Sequence, residues 1–260
     1  TRKESSAASD VYKRQMLMSM RAQIEAARAL AYVGAAAFDV AHHHTDEKVR
    51  NANQAFYEFL VPIIKGWSTE MSIDVASTAL QIHGGMGFIE ETGAAQYYRD
   101  ARILTIYEGT TAIQANDLVG RKTVRDGGAV ARNIIAAVRV TEAELAAASS
   151  KDLAAIHAHL VAASTALEDV VAYVVANIQS DIKGVFAGSV PYLKLAGIVL
   201  GGWQMARAAL IAQGKLDAGD GDAKFYQAKL ATARFFADYF LSQAGACLLY
   251  TSDAADDSLR

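Results

Sequence analysis

Apolar residues recur every three or four positions along most of this 260-residue chain, the period of a helix with one face turned to a core. Over Met16–His44 the stripe is Met20, Ile24, Ala27, Ala31 and Phe38, interleaved with Arg21, Glu25 and Arg28, and it predicts one long helix. A polar stretch, His42–Asn53, leads to a second helical pattern over Ala55–His83. Pro62 is expected either to bend that helix or to mark an N-terminal turn. Gly84-Gly85-Met86-Gly87 breaks the pattern. A short helix is predicted near Ala94–Arg102, then an extended or irregular connector over Ile103–Glu108. A helix over Ala112–Lys122 follows, capped by Thr110 or Thr111, whose hydroxyl can accept an orphan backbone N–H.

Asp126-Gly127-Gly128 reads as a turn and as the boundary between two modules. Four further helical stretches, Ala129–Ser149, Lys151–Asp181, Val190–Gln213 and Ala223–Ala244, are separated by short links, which implies antiparallel packing in a bundle. Gly201 and Gly202 interrupt the third of these at about 1 kcal/mol each relative to alanine. Close approach of another helix is the expected reason. Abundant alanine and only two prolines reinforce an all-α reading.

Charge and cysteine usage exclude several classes. The net charge of −3 offers no basic footprint for nucleic acid. The single cysteine, Cys247, rules out a disulfide framework and a cysteine-rich metal site. No apolar run of about 18 residues lacks polar interruption, so no membrane span is expected. His42-His43-His44 cannot converge on one ion, because consecutive helical residues point about 100° apart. His157 and His159 lack the carboxylate–histidine pattern of a di-iron bundle. The aromatic set Phe225, Tyr226, Phe235, Phe236, Tyr239 and Phe240 reads as core or subunit interface, as do Tyr192 and Trp203.

The two ends read differently from the rest. Ser5–Gln15 (SSAASDVYKRQ) can be back-translated to a DNA segment whose reverse complement, read one base in, encodes Cys247–Asp256 (CLLYTSDAAD). Segments 1–15 and 247–260 are therefore expected to be adapter-derived, leaving Met16–Ala246 as a stretch of a longer protein. Removing both leaves the net charge at −3.

Three blocks could carry chemistry: Gln81–Phe88 (QIHGGMGF), Tyr97–Arg102 (YYRDAR) and Ile106–Gln114 (IYEGTTAIQ). Glycines allow a ligand close to backbone N–H groups, although a glycine cluster after a helix also serves as a C-cap and turn. Glu108 follows apolar residues and precedes glycine. Held in apolar surroundings its carboxylate would lose solvation and become a better proton acceptor. Alternatively it is a solvated glutamate near a helix start.

The stretch Asp74–Gln114, with QIHGGMGF and YRDARI-x-x-IYEGT at this separation, closely resembles the C-terminal helical domain of acyl-CoA dehydrogenases. DLVGRK, VPYLKLAG, GGWQMARAAL and FYQAKLATARFFADY are similar to the extra helical module of the larger members, of the methylmercaptopropionyl-CoA type. The resemblance covers residues 16–246. It implies an antiparallel helical bundle over 16–122, lacking its first helix, and a second helical module over 123–246.

What the resemblance implies chemically is oxidation of an acyl-CoA to a trans-2-enoyl-CoA with FAD, the electrons passing to an electron-transfer flavoprotein. Glu108 occupies the base position. Gln81, Gly84 and Gly85 match positions that approach the FAD nucleotide portion, commonly across a subunit interface. Thr110 matches a hydroxyl that contacts FAD, and Gly109 a position beside substrate. Ala112 and Gly120 depart from members that carry glutamine and arginine there. Arg99 and Asp100 are expected to form a structural charge pair. The resemblance also implies a homo-oligomer, with bacterial cytoplasm favoured over mitochondrion and no nucleic acid as partner. A helical relative with a DNA-associated or purely oligomerising role is the rival reading.

Overall fold

The computed structural model describes residues 2–252, with side chains over 10–251. The two end segments set apart above lie partly outside the described residues. No strand occurs among those residues, and the all-α expectation holds.

Two long helices, α1 (Arg2–His43) and α2 (Glu47–His83), form the first layer as a hairpin. Asp46 fixes the turn between them, its carboxylate accepting from Lys48 N–H at 2.8 Å. Pro62 marks no N-terminal turn. It lies buried within α2, which continues past it for nearly six turns.

A short helix, α3 (Gly85–Phe88), and a 3-10 turn over Glu90–Thr92 lead to α4 (Ala94–Leu104). Helix α4 therefore takes in Ile103 and Leu104, read from sequence as connector. The helix expected over 112–122 is α5 (Thr111–Asp117) continued as a π-helical turn over Leu118–Val124. Thr123 closes that wider turn, its hydroxyl donating to the Leu118 carbonyl at 2.9 Å and sharing a hydrogen bond with the Tyr192 hydroxyl at 2.9 Å. Tyr192 is fully buried, and burial pushes its phenol pKa up.

The remaining chain folds as α6 (Ala129–Ala147), α7 (Lys151–Asn177), α8 (Ile182–Ala187), α9 (Ser189–Asp217), α10 (Ala223–Tyr239) and α11 (Ala244–Ser252). Helix α8 occupies what read as a linker. Asp181 caps it by accepting from Gly184 N–H at 2.9 Å. A polar network, buried at Glu142 and Ser164, ties α6 to α7. The Glu142 carboxylate accepts from Ser164 at 2.6 Å and from Arg139 at 3.0 Å, and Arg139 also reaches Glu168 at 3.0 Å. Trp203 on α9 donates to Thr141 on α6 at 2.8 Å.

Helix α9 is the mast of the molecule. From Leu195 to Ala206 every residue is buried, so it is covered all round, and it touches α1, α2, α5, α6, α7, α10 and α11. The glycines permit this. A Cβ on Gly201 would stand 2.7 Å from Trp67 Cη2, and one on Gly202 would stand 2.6 Å from Leu241 Cδ2. The expected close approach is present. Two helices, α7 and α9, are after all long and apolar enough to cross a membrane by length and composition alone, against the sequence expectation. Most of the apolar window of α9 is buried inside the bundle. One core runs from Ala22 to Cys247 without a break between the two halves.

Candidate functional site

The loop between α4 and α5 is closed at its base. Thr105 is buried, receives a hydrogen bond from Arg102 on its hydroxyl, and accepts the Thr111 N–H on its carbonyl at 3.4 Å. Thr110, in extended backbone, caps α5 by accepting from Ile113 N–H at 3.4 Å, as its position predicts. Gln114 reaches back to the Gly109 carbonyl at 3.3 Å.

Between these anchors the chain turns through two left-handed residues. Glu108 has φ 49°, the one positive φ among described non-glycine residues, and Gly109 follows at 93°. A Cβ on Gly109 would stand 2.8 Å from Gln114 Nε2 in an already strained conformation, so glycine is required there. From α2, the Lys65 ammonium donates to the Glu108 carbonyl and, at 3.4 Å, to the Tyr107 carbonyl. It also stands 5.7 Å from the Tyr107 ring centre. One turn further along α2, Glu70 accepts from the Thr111 hydroxyl.

Glu108 itself is exposed, which corrects the expectation of a dry carboxylate within this chain. The physical reason lies in its surroundings. Ile106, Tyr107 and Ile113 flank it as a half-exposed apolar surface, and no described residue roofs it. Phe88, 86% exposed, and Tyr97, 77% exposed, are further bare apolar side chains, carried on α3 and α4. A bare apolar face of this kind marks a surface made to be covered.

The glycine turn stands elsewhere. Gly84 ends α2 with φ 63°, and a Cβ at Gly84 or Gly85 would meet nothing within 4 Å. A Cβ on Gly87, by contrast, would stand 2.4 Å from the Leu80 carbonyl oxygen. Of the three glycines one is needed for packing, while two leave backbone open at the surface. Gln81 is exposed on the rim of a cavity of about 370 Å³ shared with Ser19, Ser77 and Thr78. Lys65 and Gly84 are 19 residues apart on α2, or roughly 28 Å at 1.5 Å per residue. The structure thus brings Glu108, Gly109 and Thr110 together on one loop and holds Gln81, Gly84 and Gly85 well away from it.

Arg99 does not pair with Asp100. Its guanidinium bonds Glu90 at 3.3 Å and Gln96 at 2.9 Å, whereas Asp100 accepts from Gln96 at 2.6 Å. Neighbours on a helix face away from one another, so the partners come from three residues off and from the preceding turn. Ala112 is exposed, and Gly120 sits in the π turn with Phe186 3.7 Å from where its Cβ would be. Among the described residues no three His, Cys, Asp or Glu side chains are grouped to hold a metal.

Behind α5 lies a second cavity, about 340 Å³, bordered by Trp67, Glu70, Met71, Asp74, Thr111 and Lys194. Burial raises the Asp74 pKa, the Lys194 ammonium offsets this in part, and the Glu70 carboxylate adds to the rise. A carboxyl whose folded pKa exceeds its unfolded one weakens the fold once ionised. That penalty is absent below the unfolded value and complete above the folded one. Asp74→Asn should therefore raise the thermal midpoint at pH 7, with the gain vanishing as pH falls below 4. A gain that persists at pH 3 would contradict the ionic origin. The Asp74 side chain is partly exposed, so the effect is small.

Comparison with known proteins agrees with this architecture. Residues 1–123 match the family described as acyl-CoA dehydrogenase, C-terminal domain, and residues 133–259 match the one described as acetyl-CoA dehydrogenase C-terminal like. The chain is 48% identical to 3-methylmercaptopropionyl-CoA dehydrogenase of Ruegeria pomeroyi over 95% of its own length and 41% of the relative's. It is 34% identical to the broad-specificity linear acyl-CoA dehydrogenase FadE5 of Mycobacterium tuberculosis, over 88% of this chain and 38% of the relative. It spans about two fifths of these relatives, matching their C-terminal part by domain. In fold it is similar to an acyl-CoA dehydrogenase complexed with FAD from Bacillus anthracis. The TM-score is 0.71 at 18% identity, covering 94% of this chain and 43% of that one. Two domain matches that together cover nearly the whole chain, and a relative close to half identical along it, place this protein in the acyl-CoA dehydrogenase family.

Proposed function

We propose that the longer protein to which this chain belongs oxidises an acyl-CoA thioester to the trans-2-enoyl-CoA with FAD, Glu108 taking the α-proton. The observation that carries the reading is the loop: a glutamate fixed in a left-handed turn on a bare apolar face, followed by glycine and a capping hydroxyl.

A thioester α-proton is too weakly acidic for a carboxylate in water. The site must exclude water from the base and donate hydrogen bonds to the thioester carbonyl as negative charge develops. The apolar surface of Ile106, Tyr107 and Ile113 supplies one wall of such a site. The Glu108 backbone N–H would donate to the thioester oxygen, independently of its side chain. Gly109 keeps the space beside the substrate free of a side chain.

FAD, when bound, supplies the hydride acceptor for the β-carbon. The residues present fit it, since a Cβ-free stretch of backbone at Gly84 and Gly85 faces open surface beside the exposed Gln81 amide. Thr110 keeps its hydroxyl proton for a further bond while its oxygen caps α5. Because Gln81, Gly84 and Gly85 stand far from Glu108, one bound cofactor is best served by the loop of one subunit and the glycine turn of another, which favours a homo-oligomer. An electron-transfer flavoprotein as acceptor and the bacterial cytoplasm as compartment complete the reading. We keep the module boundary at Asp126-Gly127-Gly128.

The test is anaerobic. The full-length protein should bind flavin and bleach on addition of a panel of acyl-CoAs, whereas residues 16–246 alone should retain no stoichiometric flavin. A full-length protein that holds FAD but is reduced by none of the thioesters would sink the proposal.

A further inference from the structure

Backbone with positive φ is a region that a residue bearing a side chain leaves when nothing holds it there. Glu108 occupies it, so something must hold it. The bonds that Thr105, Thr110 and Gln114 make lie on either side of Glu108 and none involves its own peptide carbonyl. The group that does is the Lys65 ammonium, which donates to the carbonyls of Glu108 and Tyr107 and stands over the Tyr107 ring.

Two features make Lys65 more than a surface lysine. Its backbone is anchored, because Ile63 is wholly buried, and Gly66 and Trp67 on the other side are buried against α9. The ammonium is therefore delivered from a fixed point 43 residues away in sequence. Its charge is also not spent on an ion pair with any described carboxylate. The nearest acid one turn on, Glu70, is engaged by Thr111 instead. A charged donor on two successive carbonyls makes a stronger clamp than a neutral one.

We propose that Lys65 is a positioning residue for proton abstraction, holding the left-handed turn that aims Glu108. This rests on the reading of Glu108 as the base. Without the clamp the turn relaxes toward negative φ and the carboxylate leaves its line to the α-carbon. A misplacement on that scale lowers a rate by on the order of tenfold to a hundredfold.

The experiment uses the full-length flavoprotein with Lys65→Met, which keeps the stem and removes the charge, and Lys65→Arg, which restores a charged donor. Lys65→Gln stands in should the methionine variant fail to fold. Two readouts are taken. Backbone coupling constants and shifts at Glu108 and Gly109 in labelled protein report φ without reference to activity. Anaerobic flavin reduction reports kcat and KM separately.

The expected result is loss of the positive-φ signature and a fall in the reduction rate in Lys65→Met. KM and flavin content should hardly change, and most of the rate should return in Lys65→Arg. Retention of φ with an unchanged rate overturns the proposal. So does loss of φ at full rate while Glu108→Gln is inactive, which leaves the base assignment standing. If Glu108→Gln is itself fully active, the base reading fails and the positioning role falls with it.

Discussion

Replacing Glu108 by glutamine in the full-length protein should slow flavin reduction by acyl-CoA by on the order of 10²- to 10⁴-fold, the share of a rate that a positioned base supplies. The larger figure corresponds to about 5.5 kcal/mol in the barrier. Glutamine matches glutamate in size and polarity but cannot accept the proton. The clamp on this turn reaches the main-chain carbonyl of residue 108, and Thr110 caps α5 through its own hydroxyl. Neither depends on the carboxylate. Fold, flavin content and thioester affinity should therefore survive the change, which separates lost chemistry from lost structure. Stopped-flow bleaching at wild-type speed in this variant would remove Glu108 from the mechanism.

The largest effect on stability should come from Gly197→Leu on α9. A Cβ at this position would stand 2.2 Å from Trp67 Cγ and 2.5 Å from Cδ2, so the first added atom already collides with the indole. Trp67 is buried, and its own Cβ would stand 2.7 Å from the new atom, so turning the ring toward the neighbouring cavity does not relieve the clash. Helix α9 must instead lift from α2, opening the contact that Gly197 and Gly201 make possible against Trp67. Overpacking of this kind costs about 3 kcal/mol or more, which in a chain of this size lowers the thermal midpoint by roughly 10 °C. Gly214 on the same helix gives the control. Nothing lies within 4 Å of a Cβ there, so Gly214→Ala should stabilise by about 0.5–1 kcal/mol. Calorimetry that finds the two substitutions alike would refute the packing account.

Much of the architecture was legible because it is written in local pattern. The stripe from Met20 to Phe38 falls within α1, and Thr110 caps α5 as a hydroxyl before a helix should. Gly201 and Gly202 announced a close approach, since two costly residues inside a helix need a reason. Gly197 was passed over because a lone glycine carries no such signal, although it makes the closest approach to Trp67. The π turn after α5 escaped notice for another reason. Its wider hydrogen bonding is stabilised by Thr123 and by Tyr192, 69 residues further on, and no local spacing encodes that. Glu108 could be picked out with its motif, but its exposure depends on which surfaces meet the loop. Lys65 was invisible, because its partners are backbone carbonyls that have no letter in the sequence.

The arrangement of α9 has a consequence for how the halves relate. The helix packs against α1, α2 and α5 of the earlier half and against α6, α7 and α10 of the later half. The later half of the chain is thus not an appendage hung on a finished first domain. It is the footing on which the turn at Glu108 rests, reached through α5. The two portions should melt as one body, and changes far along the chain can shift the turn at residue 108 without touching it.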